Sequence, residues 1–230
     1  MADELDKAAS WLKNQLDYEF ADATLLQRAL THRSAPGRNN ERLEFLGDAI
    51  LDAVISEVVF ASQPHADEGD LSRLRSSLVK DVTLASIAGE LGIGEHLTLG
   101  GGERKTGGHR RASILADAFE ALVGAIYLDA GFDAAQRVIH GVYGDRLVDL
   151  PDAEELRDPK TRLQEQLQAR RIDLPDYEVS NVSGKSHQQT FTVTCTVASL
   201  GVVAEGRGSS RRDAEQQAAA SVLEQLKEGN

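Results

Sequence analysis

Residues 40–51 read Asn40-Glu41-Arg42-Leu43-Glu44-Phe45-Leu46-Gly47-Asp48-Ala49-Ile50-Leu51. On a helix advancing about 100° per residue, Glu41, Glu44 and Asp48 fall within an arc of roughly 60°. Leu43, Leu46, Ile50 and Val54 fall opposite. The spacing predicts a helix with an apolar stripe toward a core and an acidic face turned away from it. Three like charges so close repel one another. A bound cation removes that penalty, and hard divalent cations take carboxylate oxygens. A solvated acidic face is the alternative, and for a generic pattern of this kind it is the commoner one. Phe45 argues against it. It lies about 40° from Glu41 on the wheel, beside the acids and away from the leucines. A partner surface explains an aromatic in that place; solvent does not.

A second acidic pair, Asp117 and Glu120, sits in SILADAFE, residues 113–120. At i and i+3 the two share a helix face. The surrounding helix is apolar, with Ile114, Leu115, Phe119, Leu122, Val123 and Ile126, so its acids need a compensating charge. If it packs beside the first helix, Glu44, Asp48, Asp117 and Glu120 converge on a site for one or two Mg²⁺ ions. Capping, or pairing with Arg110 or Arg111, is the alternative for Asp117 and Glu120.

Outward from these stretches, residues 1–148 read as helix after helix. Leu5, Ala8, Ala9, Leu12 and Leu16 space as a first helix, and Leu25, Leu26 and Leu30 as a short second. Asn39 and Asn40 are candidate caps for the acidic helix, which runs to about Phe60. One further helix is expected from near Asp70 through SRLRSSLVKDVTLASIAGELG. Leu99–His109, rich in glycine and basic residues, reads as a loop. Helices over Ala112–Ala130 and Ala134–Val148 complete the set. Residues 149–157, DLPDAEELR, are polar and acidic, as in a linker.

Residues 158–228 change character. A helix to about residue 171 is followed by strands at Tyr177–Val182, Thr190–Val197 and Val202–Glu205, rich in Val, Thr and Phe. An alanine-rich helix over 209–227 closes the chain. The fold class is an all-α domain followed by a small α+β domain of order α-β-β-β-α.

The chain has 230 residues, with 37 acidic against 25 basic side chains and a net charge of −12. Taken whole, that charge argues against nucleic acid. Cys195 is the one cysteine, so there is no internal disulfide and no C-x-x-C metal pair, and a reducing, cytoplasmic compartment is expected. MADELDKAAS has no apolar signal core, and Ala49–Ala61 is too short and too charged to span a bilayer. No H-E-x-x-H or G-x-S-x-G stands in the sequence. Gly100-Gly101-Gly102 lacks the Lys-Ser/Thr of a phosphate loop, so no small-molecule cofactor is expected.

The block NERLEFLGDAIL resembles the signature of the bacterial ribonuclease III family. ALTHRS at 29–34 and SILADAFEALVGAIYLD at 113–129 are similar to two further blocks of that family. The C-terminal segment resembles a double-stranded-RNA-binding domain. The resemblance implies a helical endonuclease domain working as a homodimer. It implies hydrolysis of double-stranded RNA with Mg²⁺, or Mn²⁺ in its place. The products would carry 5′-phosphate and 3′-hydroxyl ends with two-nucleotide 3′ overhangs, and ribosomal RNA precursors are the usual family substrate. Position by position, Glu44, Asp48, Asp117 and Glu120 match the metal carboxylates, with Asp48 and Glu120 the most critical. Glu41 and Glu68 match acids linked to substrate or product handling. Phe45 matches an aromatic that enters a socket on the partner subunit.

In the C-terminal domain, Thr161, Gln164, Glu165 and Gln168 share one helix face. A plain solvated face is the alternative, yet such side chains can hydrogen-bond 2′-hydroxyls in the shallow A-form minor groove. Gly184-Lys185-Ser186-His187 resembles the loop for a second minor groove, without the family's common proline, and His187 would make the contact. Gly206-Arg207-Gly208-Ser209-Ser210-Arg211-Arg212-Asp213-Ala214-Glu215 resembles the family's phosphate-binding block. It opens a helix whose N-terminus favours phosphate, with Ser210, Arg211 and Arg212 at the front. The charge divides accordingly. Residues 1–150 carry 15 basic and 24 acidic side chains, whereas residues 156–226 carry 9 of each.

Overall fold

The computed structural model describes residues 2–185 and 188–228. The chain divides into two compact units, Met1–Ala153 and Glu154–Asn230.

The first unit is helical: α1 (Ala2–Leu16), α2 (Ala23–Ala29), α3 (Glu41–Ser62), α4 (Glu68–Val79), α5 (Asp81–Leu91), α6 (Gly101–Lys105), α7 (Ala112–Ala130) and α8 (Phe132–Tyr143). Helix α7 forms its centre. Its buried residues run from Ile114 to Ile126, and α3 and α5 pack against it.

Several sequence expectations change, and the last helix of the unit, expected to run to Val148, ends at Tyr143 before a 3₁₀ turn, Gly144–Leu147. The apolar stripe of α3 consists of Leu43, Gly47, Leu51, Val54, Ile55 and Val59, whereas Leu46 and Ile50 are half-buried. It is rotated by about 80° from the leucine stripe of the wheel, because Gly47 opens that side to α7. The rotation carries Glu44 to the edge of the packed arc and leaves Asp48 exposed.

The single helix expected from Asp70 is two, α4 and α5, broken at Lys80 in an extended conformation (φ −69°, ψ 149°). The buried residues of α4 are Leu74 and Leu78; those of α5 are Leu84, Ile87 and Ala88. On one continuous helix the two sets would face about 100° apart and could not share a core. Lys80 O accepts from Thr83 N at 2.8 Å, and Thr83 Oγ1 donates back to Ser77 O at 2.8 Å, which closes the break.

A further change is Leu99–His109, which holds the short helix α6 and a 3₁₀ turn, Gly108–Arg110, rather than an open loop. At the start of α3, the side chain of Asn39 rather than Asn40 accepts from Glu41 N, at 3.3 Å.

In the second unit, α9 (Ala153–Leu156) is one helical turn within the acidic connecting segment, followed by α10 (Pro159–Ala169). Strands β1 (Asp176–Ser183), β2 (Thr190–Val197) and β3 (Val202–Gly208) form an antiparallel sheet in that order, closed by α11 (Arg211–Glu228). Leu163 and Leu167 of α10 pack with Cys195, Val197, Ala204, Ala218, Ala219 and Val222. Gly206 and Gly208 let β3 lie directly on α11. A Cβ on Gly206 would come within 2.1 Å of Ala218 N, and one on Gly208 within 2.5 Å of Asp213 Cβ.

Among the described residues no helix is long and apolar enough to cross a membrane.

Candidate functional site

The acidic residues are gathered by one helix crossing. A Cβ on Gly47 would stand 1.8 Å from Glu120 O, and one on Gly124 would stand 2.2 Å from Leu43 O. The backbones of α3 and α7 therefore touch. Glu44 on α3 meets Asp117 and Glu120 on α7, one carboxylate oxygen from each lying within 4.8 Å of the other two. Asp48, the fourth predicted acid, is exposed and stands outside this trio, yet its charge acts on Glu120 and Glu44.

The electrostatics follow from burial and crowding. Glu120 is pushed up to about 8, first by burial, then by Asp48, Glu44, Asp117 and Asp81. Burial raises Asp117, with Asp81 next, while His32 and Arg33 pull it down. Glu44 is raised by burial, then by Asp117 and Glu41, against Arg33. A set of hard oxygen donors that resists its own ionisation suits a divalent cation, which favours the charged form of every member. The site residues fit such an ion.

Sequence reasoning missed four participants. Gly47 and Gly124 set the approach, Asp81 brings negative charge from α5, and Arg33 places a cation beside the acids. A small residue on each of two facing helices is a detectable signal; nothing in the local pattern marks Asp81. The alternative of Arg111 pairing with Asp117 or Glu120 is not what forms, since Arg111 pairs with Glu103 at 2.8 Å.

Glu41 is exposed and lies 3.6 Å from Arg33. Glu68 opens α4, outside the trio, and lines a pocket of about 410 Å³ with Ser56, Val59, Phe60, Leu71 and Arg75. Phe45 is 81% exposed.

In the second unit, Thr161, Gln164, Glu165 and Gln168 are all exposed on α10, opposite Leu163 and Leu167. Glu165 is held by Arg157 at 2.9 Å. Ser210 caps α11, its Oγ accepting from Asp213 N at 3.1 Å, and Arg211 and Arg212 are exposed beside it. His187 lies outside the described residues.

Residues 22–147 match the family described as Ribonuclease-III-like, and residues 159–226 match the Double-stranded RNA binding motif. Ribonuclease 3 of Alkalilimnicola ehrlichii is 57% identical over 94% of this chain and 95% of its own. Ribonuclease 3 of Pseudomonas aeruginosa is 54% identical over 97% and 96%. Among solved structures, a nuclease domain of ribonuclease III from Campylobacter jejuni superposes with a TM-score of 0.58 at 44% identity, covering 60% of this chain and 96% of that one. A second structure of that domain, with a TM-score of 0.56 at 45% identity over 58% of this chain and 94% of that one, is described by a flexible region involved in its dimer formation.

Proposed function

The chain belongs to the ribonuclease III family and is a double-stranded-RNA endoribonuclease, and on that premise we propose which of its residues cut and which hold the duplex. The observation that carries the assignment is the trio Glu44, Asp117 and Glu120, with carboxylate oxygens within 4.8 Å on two touching helices. These residues, with the exposed Asp48, would hold the divalent metal. Mg²⁺ is the proposed ion, since it accepts a few carboxylates and keeps its remaining waters; Mn²⁺ substitutes. When bound, the ion supplies the Lewis acidity that activates a water and stabilises the departing 3′ oxygen.

The chain's own part is positional. Glu120 and Asp48, when ionised, would supply much of the negative charge that holds such an ion. Glu41, whose charge acts on Glu44, is assigned to substrate or product handling, and Glu68 is assigned the same role from α4. No side-chain nucleophile is required, and the products are a 5′-phosphate and a 3′-hydroxyl, with two-nucleotide 3′ overhangs.

A homodimer supplies one such centre per RNA strand. Its support is an exposed Phe45 on the acidic face; the pocket lined by Phe60 and Leu71 is the proposed socket for it on the partner subunit. Residues 1–148 are assigned to cutting, 149–157 to a linker and 158–228 to duplex binding. In that last domain Thr161, Gln164, Glu165 and Gln168 are assigned to minor-groove contacts, Ser210, Arg211 and Arg212 to the phosphates between grooves, and His187, outside the described residues, keeps the minor-groove role that the resemblance implies. The even charge balance of residues 156–226 makes this possible, because the excess acidity of the chain lies in the nuclease domain and linker. Structured cytoplasmic RNAs, ribosomal precursors among them, are the proposed substrates.

The test is cleavage of a long RNA duplex with Mg²⁺ or EDTA by wild type, Asp48→Asn and Glu120→Gln. Cleavage by wild type with Mg²⁺ alone is expected. Variants that cut as fast as wild type overturn the site assignment.

A further inference from the structure

One acidic side chain in the second unit has no part in the assignments above. Glu215 is 9% exposed and sits on the first turns of α11. Its Oε2 accepts from Lys160 Nζ of α10 at 2.5 Å, and its Oε1 accepts from Arg211 Nε at 2.8 Å. The two cations are treated differently. Lys160 is turned inward, its ammonium also lying 4.4 Å from the centroid of the Tyr177 ring. Arg211 remains largely exposed. Because its Nε–H is taken by Glu215, the donors left to it are those of the two terminal nitrogens, the fork that matches a phosphate.

The neighbouring contacts tie the same two helices. Asp158 caps α10, accepting from Lys160 N at 2.9 Å and Thr161 N at 3.2 Å, and it also accepts from Gln216 Nε2 of α11. The minor-groove helix and the phosphate-facing helix end are thus joined through residues 158, 160, 215 and 216. We propose that Glu215 is a positioning residue for RNA: it aims the Arg211 guanidinium at a backbone phosphate and fixes that phosphate contact in register with the α10 face. This rests on the reading of Arg211 as a phosphate contact. Preorganised groups of this kind depend on the shell that holds them.

Bulk electrostatics and positioning give opposite answers for Glu215→Gln. Removing a negative charge should tighten binding to a polyanion. Losing the aim on Arg211 should weaken it. The experiment is binding of the full-length protein to a short RNA duplex in EDTA across a salt series. Wild type is compared with Glu215→Gln, Arg211→Gln and the double variant, with a melting curve for each. Glu215→Gln is expected to bind about fivefold more weakly, and to lower the slope of log K against log salt by about 1, the loss of one phosphate contact. Arg211→Gln is expected to do the same, and the double variant no more than either.

Because Glu215→Gln leaves the half-buried Lys160 ammonium without its charged partner, Glu215→Gln with Lys160→Met provides a variant that keeps the packing. It is expected to bind like Glu215→Gln. Binding at wild-type affinity and slope by either of these variants overturns the proposal, as does full additivity of Glu215→Gln with Arg211→Gln. Wild-type affinity and slope in Arg211→Gln combined with Arg212→Gln would instead remove the phosphate reading on which the proposal stands.

Discussion

Gly47 and Gly124 face each other where α3 crosses α7, each leaving room for the other helix's backbone: Glu120 O on one side, Leu43 O on the other. The carboxylate trio exists because of this contact. Gly47→Ala puts a methyl where a carbonyl oxygen stands, so the helices must separate. Overpacking typically costs about 1–3 kcal/mol, and a clash with rigid backbone belongs at the upper end of that range. The expected outcome is a lower melting temperature, with a higher Mg²⁺ requirement for duplex cleavage in whatever protein remains folded.

Glu120 gives a pH prediction. Its folded-state pKa is raised to about 8 from 4.5. Between those values the unfolded chain has lost the proton that the folded chain keeps, so stability falls as pH rises. In EDTA, melting temperature is expected to drop from pH 5 to pH 8. Glu120→Gln should flatten that dependence while abolishing cleavage, and Mg²⁺ should counter it in wild type. Melting curves at several pH values, with and without metal, read all three.

Phe45 concerns assembly. Phe45→Ala removes an aromatic that is largely exposed in its own chain, so the melting temperature of the separated subunit should hardly change. Sedimentation at micromolar concentration should show the dimer shifting toward monomer. Cleavage should fall at low protein concentration and recover as concentration rises.

The charge division concerns the nuclease domain. A fragment of residues 1–153 carries most of the excess acid. Its affinity for duplex RNA is expected to be weak and to vanish in EDTA. Tight, EDTA-insensitive binding measured by gel shift would contradict that.

The acids were legible because helical spacing is local: Glu44 with Asp48, and Asp117 with Glu120, are each set by a single turn. The strands were legible too, through Val, Thr and Phe between turn residues. The assembly was not. That Asp48 stands apart while Glu44 joins the trio depends on an α3 stripe rotated toward Gly47, which a wheel drawn on leucines misplaces. Asp81 brings its charge to the cluster only because the chain breaks at Lys80, and that break is required by where two apolar sets, Leu74 with Leu78 and Leu84 with Ile87 and Ala88, must pack. Glu215 was legible as the last residue of the phosphate-binding block, but its two partners were not: one is a motif position a turn away and the other comes from another helix.

Cys195 lies in the second unit's core, its thiol pushed up by burial. As the one cysteine in the sequence, it leaves the surface with no competing thiol. A dye attached through a cysteine introduced at an exposed position away from the assigned contacts would therefore report from a single chosen place, and the arrival of RNA at one domain could be timed separately from its arrival at the other.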